Sequence, residues 1–309
     1  MTMGQADQSP VLVLGMHRSG TSLLAQLLHA SGILMGREFV KTSGGNPAGL
    51  YEDARYVEWH EAVLASEAGG EWPLCGMRWA RRQPVKEMAW QAAAERHPLP
   101  EAAEDGLWGW KDPRTLLFLK QWLAVYPSLR GLVLVRHPTD VYLSLLRRGD
   151  LAVALDPLLA FEMYAAYHEA ALPVIEAHRS RFLFISSDYL FREWDVACAG
   201  MEKWLQHRIR YMEVRPRAAH FHPSLSNATS EARLCETCPR AMRAYARLMA
   251  LAEGRPMPVV PSPEGPSGSE AALLAYESSL PGGERLSQRR LQLRVELGQS
   301  LDKISDGAQ

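Results

Sequence analysis

An apolar, β-prone run, Val11–Leu14, enters the loop Gly15-Met16-His17-Arg18-Ser19-Gly20-Thr21-Ser22. The chain leaves that loop in the helical pattern Leu23-Leu24-Ala25-Gln26-Leu27-Leu28. The segment reads G-x-x-x-x-G-T-S, a P-loop with threonine where the ATPase motif has lysine. A loop of this kind aims several backbone N–H groups and a helix N-terminus at one point, and that point binds phosphate. Arg18 supplies a cation two positions before the second glycine. The pattern therefore describes a phosphate cradle built for something other than Mg-ATP.

Three further apolar runs, at 107–110, 132–135 and 182–185, have strand length and lead into helical periodicity. Helices are expected near 20–31, 52–66, 86–97, 115–125, 139–148, 157–179, 191–207 and 231–253. Strands alternating with helices predict a P-loop-type three-layer α/β sandwich: a central, mostly parallel sheet flanked by helices. Gly32 and Gly149 suit helix ends, and 36–50 is a glycine-rich loop. Residues 1–255 are read as one domain. Residues 256–309 form a linker rich in Pro, Gly, Ser and Glu plus a helical extension. In that extension Leu286, Leu293, Leu297 and Leu301 make a stripe that packs on the chain's own body or joins two copies as a homodimer.

Net charge is −1, so no global field recruits nucleic acid or an anionic membrane. No apolar stretch is long enough to span a bilayer and no signal core precedes the first strand, which places the chain in the cytoplasm. The four cysteines are too few for a disulfide framework. Cys235-Glu-Thr-Cys238 is a lone C-x-x-C, read as structural thiols rather than, with His220 and His222, a zinc site. Abundant Ala, Leu and Arg point to a GC-rich bacterial source and to tailoring of a secondary metabolite.

The run at 132–135 ends in Arg136, where an NTPase strand would offer a magnesium-binding aspartate. Pro138 and Thr139 then open a helix, and Ser144 stands eight positions after Arg136. Side chains lean toward a helix N-terminus, so Arg136 and Ser144 converge on an anion held there. The chain thus offers two phosphate sites, which suits a nucleotide phosphorylated at both ends of its ribose.

These two segments, His17 to Ser22 and Arg136 to Ser144, resemble the cofactor motifs of the sulfotransferases that use 3′-phosphoadenosine-5′-phosphosulfate (PAPS). Trp108-Gly-Trp-Lys-Asp-Pro-Arg114 is similar to the Lys-Asp-Pro run of the tyrosylprotein type and its bacterial relatives, and Gly49-Leu-Tyr-Glu52 to a Gly-aromatic-Glu segment of bacterial members. The resemblance covers about residues 10–210. It implies that Arg18, Ser19, Gly20, Thr21 and Ser22 hold the 5′-phosphosulfate and that Arg136 and Ser144 hold the 3′-phosphate. It implies Glu52 as base, with Lys111 and Arg18 stabilising the leaving phosphate. The product would be adenosine 3′,5′-bisphosphate, with no metal required and a small-molecule acceptor bearing a hydroxyl or amine. The chain departs from the family at its C-terminal basic-Gly signature, which is absent, and at Ser187-Asp-Tyr189, where a Tyr-Glu-Asp run is expected. His17 reads as a loop hydrogen-bonding residue, and His60 is the weaker base candidate. The rival readings are an ATP-dependent P-loop kinase and a non-catalytic nucleotide-binding protein.

Overall fold

The computed structural model describes residues 9–41, 49–67, 90–91, 106–210, 212, 214, 237–253, 285, 288, 291–293 and 295. Four strands form one sheet: β1 (Val11–Leu14), β2 (Gly109–Lys111), β3 (Arg130–Val135) and β4 (Phe182–Ser186). They lie in the order β2-β1-β3-β4 and every neighbouring pair is parallel. Alternation along the strands explains the layers. Val11, Val13, Leu132 and Leu134 face one core; Leu12, Leu14, Val133 and Val135 face the other.

Helix α1 (Thr21–Ala30) and, later, α8 (Trp194–Leu205) cover the first face through Leu24, Leu28, Cys198 and Met201. The second face is covered by α2 (Ala54–Glu67), α3 (Leu119–Val125), α4 (Pro138–Arg148), α6 (Leu158–Ala177) and α9 (Pro239–Glu253). Two shorter helices complete the order, α5 (Leu151–Leu155) and α7 (Ser187–Arg192). The expected three-layer α/β sandwich with a parallel central sheet is the observed architecture.

Several boundaries differ from the expectation. The second strand begins at Gly109, because Trp108 is drawn into a separate bridge with Leu34. Gly109 is required there: a Cβ would lie 1.8 Å from the Val11 carbonyl oxygen. The single helix expected over 115–125 is a 3-10 segment, Pro113–Phe118, followed by α3. Asp112 caps that segment, accepting from the Arg114 backbone N–H at 3.0 Å. The helix expected over 191–207 is two helices broken at Glu193. Helix α5 follows Gly149, between the helices expected over 139–148 and 157–179.

The helix expected near 86–97, apart from Trp90 and Gln91, lies outside the described residues. So do Cys235, His220, His222 and the linker at 255–283. Cys238 is buried and its thiol is pushed up to about 12 by burial. Leu293 is buried within the larger core cluster. Among the described residues no helix is long and apolar enough to cross a membrane.

Candidate active site

In a parallel sheet of this order, successive connections leave β1 and β3 in opposite directions. Ligands bind outside the carboxyl ends of strands at such a reversal. The loop at 15–22 follows β1 and Arg136 follows β3, so both segments open at that crevice. Their separation of more than a hundred residues is closed by one register of pairing.

Gly20 caps α1 at φ 95°, a left-handed conformation that suits glycine, and leaves the first N–H groups of the helix without a side-chain cap. Ser19 is buried, and its Oγ has no hydrogen-bond partner within the protein. The Ser19 carbonyl is held by Ser187 Oγ at 2.5 Å. An orphan hydroxyl beside uncapped helix amides fits a tetrahedral anion.

Arg18 sits at φ 66°, unusual for a residue with a side chain. Its carbonyl accepts from Arg136 Nη1 at 2.5 Å, and its own Nε donates to Ser144 Oγ at 3.0 Å. Tyr164 in α6 fixes Arg136 from behind, donating to its carbonyl at 2.9 Å. Burial, then Arg148, Arg136 and Arg147, lower the Arg18 guanidinium to about 10. Burial also lowers Arg136, with Asp140 opposing. A concentration of partly desolvated arginines is an electrostatic demand for anions.

A second cluster lies on the β2 side. Lys111 closes β2 and is buried, and its Nζ donates to Glu52 Oε1 at 2.5 Å. Burial lowers the Lys111 ammonium and Glu52 raises it. Lys111 and Asp112 therefore do not form the surface ion pair that their adjacency allows. Glu52 stands outside α2, which begins at Ala54; Asp53 is the cap, accepting from the Arg55 N–H at 3.1 Å. Tyr51, directly before Glu52, has φ 52°, held in an aromatic group with His29 and Phe39. Backbone bonds from Val40 N to Glu52 O and from Ala54 N to Glu38 O pin the segment on both sides.

The P-loop side chains divide between these clusters. Arg18 meets Ser144 and Arg136, whereas His17 feels the charges of Arg114, Asp112, Lys111 and Arg148 and sets its ring edge-on to Tyr167, 5.8 Å away. Burial first, then Arg114, pushes His17 down to about 3, so the ring is neutral near pH 7. The Arg18 guanidinium thus rests with Ser144 and the Arg136 group in this structure.

Sequence reading assigned no bracing role to Asp112, Arg114 and His60, which hold this second cluster together. Asp112 Oδ1 accepts from Arg114 Nη1 at 2.9 Å, and Arg114 Nη2 reaches Glu61 at 3.1 Å. Burial would raise the Asp112 carboxyl, but Arg114 and then His60 hold it well below the usual carboxylate range. His60 lies on the buried stripe of α2 with Tyr56, Trp59, Val63 and Leu64, and that i, i+3, i+4 placement was the available signal. No group of described residues has the composition of a metal site.

The profile described as "Sulfotransferase family" matches residues 10–186, more than half of the chain. No curated protein matches the sequence. Among solved structures, a sulfotransferase from Alicyclobacillus acidocaldarius is 16% identical over 82% of this chain and 98% of its own, with a TM-score of 0.45. The sulfotransferase STF1 of Mycobacterium tuberculosis H37Rv is 15% identical over 80% and 76%, with a TM-score of 0.43. The sulfotransferase domain from the curacin biosynthetic pathway is 16% identical over 71% and 78%, with a TM-score of 0.40.

Proposed function

The chain belongs to the sulfotransferase family, and on that premise we propose that it transfers a sulfuryl group from PAPS to a hydroxyl or amine of a small-molecule acceptor. The observation that carries this reading is the meeting of Arg136 with the Arg18 carbonyl, and of Arg18 with Ser144. One nucleotide with phosphates at both ends satisfies both neighbouring cationic sites.

In this reading the α1 amides with Ser19, Gly20, Thr21 and Ser22 hold the 5′-phosphate, and Arg136 and Ser144 hold the 3′-phosphate. The donor supplies the activated sulfuryl group, whose S–O bond to the 5′-phosphate breaks as the acceptor's bond to sulfur forms. Glu52 takes the acceptor proton, a step worth about 10² to 10⁴ in rate for a positioned base. Lys111 leaves Glu52 and receives the charge that develops on the departing phosphate oxygen, which frees the carboxylate at the moment it is needed. Arg18, displaced from Ser144 by the 3′-phosphate, turns toward the same oxygen. A sulfuryl group carries less charge than a terminal phosphoryl group. Amides and arginines therefore suffice, and no magnesium ion is invoked.

The test is transfer from labelled PAPS to a panel of phenols, sugars and amines, with calorimetry of adenosine 3′,5′-bisphosphate in parallel. Labelled product together with metal-independent bisphosphate binding supports the reading. Tight Mg-ATP binding with no bisphosphate binding supports the kinase alternative.

A further inference from the structure

His60 is fully buried, carries a titratable ring, and has no part in the transfer scheme. Its hydrogen bonds define its state. Trp122 Nε1, which can only donate, gives its hydrogen to His60 Nε2 at 2.8 Å. Nε2 is therefore the acceptor, the ring proton is on Nδ1, and Nδ1 donates to Asp112 Oδ2 at 2.8 Å. The ring also stacks on Phe118, with centroids 5.1 Å apart and planes 4° from parallel. Ring position and tautomer are fixed together.

This bond joins the two segments that carry the reacting pair. Glu52 enters α2, and His60 lies further along that helix. Lys111 ends β2, and Asp112 follows it. Among the described residues the Lys111–Glu52 and Arg114–Glu61 pairs also join these segments, but Lys111 must let go of Glu52 for transfer, and Glu61 is partly exposed. The His60–Asp112 bond is the fully buried link, and the transfer scheme does not require it to break.

We propose that His60 is a positioning residue, a buried strut that acts through Asp112 to hold the entrance of α2 against the end of β2 and so fixes Glu52 relative to Lys111. The inference rests on the reading of Glu52 and Lys111 as the transfer pair. Groups set in buried hydrogen-bond networks behind reacting residues govern their placement, and the corresponding partners of metal ligands are worth about ten- to hundred-fold.

Two variants separate a strut from mere packing. His60→Asn puts an N–H where Nδ1 stood and keeps the bond to Asp112, while giving up the acceptor for Trp122. His60→Gln reaches the Nε2 position, satisfies Trp122 and leaves Asp112 Oδ2 without its donor. The expected result is near wild-type sulfate release from labelled PAPS into water in H60N. In H60Q kcat falls by about ten- to hundred-fold with donor KM unchanged. A second readout needs no turnover: the pH midpoint for acetylation of Lys111 by acetic anhydride, followed by peptide mass spectrometry. Lys111 faces Glu52, Asp112, Arg114 and His17, and Glu52 is its main support against burial. The midpoint therefore shifts down in H60Q and stays in place in H60N. Equal behaviour of the two variants in both readouts, or a greater loss in H60N, overturns the strut. If Glu52→Gln and Lys111→Met instead keep full release, the transfer-pair reading fails, whatever the acetylation midpoints show.

Discussion

Arg136 Nη1 donates to the Arg18 carbonyl at 2.5 Å, across 118 positions of sequence. The bond ties the turn after β3 to the turn after β1, and it sets an arginine head group at the rim of the phosphate loop. With Arg18 Nε on Ser144 Oγ, two arginines and a serine from two motifs are joined by hydrogen bonds. The consequences can be measured one at a time.

Arg18 rests on Ser144 yet is assigned a share in the leaving charge. Arg18→Ala is expected to lower turnover more than bisphosphate affinity, with a rate loss of about 10² to 10³ if it touches the departing oxygen. Steady-state kinetics alongside calorimetry decide the matter; loss confined to affinity places Arg18 at the 3′-phosphate alone.

Glu52 and Lys111 are a buried pair, so removing one member strands the other. Lys111→Met should lose about 3 to 5 kcal/mol of stability, the usual result of leaving a buried charge uncompensated. Glu52→Gln should lower turnover by about 10² to 10⁴ with bisphosphate affinity unchanged. In the double variant E52Q/K111M most of the lost stability should return while turnover stays absent. Thermal denaturation of the three proteins checks this; additive destabilisation contradicts the pairing.

His17 and His168 are held below the ordinary histidine value, at about 3 and about 4, in both cases chiefly by burial. Between those values and the unfolded value of about 6.5 the unfolded chain binds more protons than the folded one. Stability therefore falls as pH drops below about 6.5, by up to about 1.4 kcal/mol per pH unit for each ring. Melting temperatures at pH 7.5 and pH 5 should show this fall, and His17→Gln should reduce it. An unchanged pH slope in the variant removes His17 as a contributor.

Much of this arrangement was legible in the chain itself. Strands β1, β3 and β4 could be read because each carries apolar residues on both faces, β2 was reached through the apolar run at 107–110, and the P-loop could be read because a glycine stands at the left-handed Gly20. The Arg136-to-Ser144 pair was read from its spacing and from the family resemblance. The pairing of Lys111 with Glu52 was not legible, because nothing in the local pattern sets a β2 end against a loop 59 positions earlier. Glu52 stands at the start of the helix expected over 52–66, whereas α2 begins at Ala54 and its cap is Asp53. His60 was read only as a weak base candidate on the helix after Glu52; it is buried, and its partner Asp112 becomes visible only when α2 packs on the segment after β2. The direction of the Arg18 side chain was beyond reach too, since it follows from a left-handed backbone turn at a residue with no glycine to announce it.

The central claim is that two cationic sites grip opposite ends of one nucleotide. Calorimetry in the presence of a chelator, comparing adenosine 3′,5′-bisphosphate with adenosine 5′-phosphate, tests it most directly. The account predicts much tighter binding of the bisphosphate, with an advantage of about 10- to 150-fold for a charge-assisted hydrogen bond that disappears in Arg136→Ala. Equal affinity for the two nucleotides in the wild-type protein, or an advantage that survives the loss of Arg136, would contradict it.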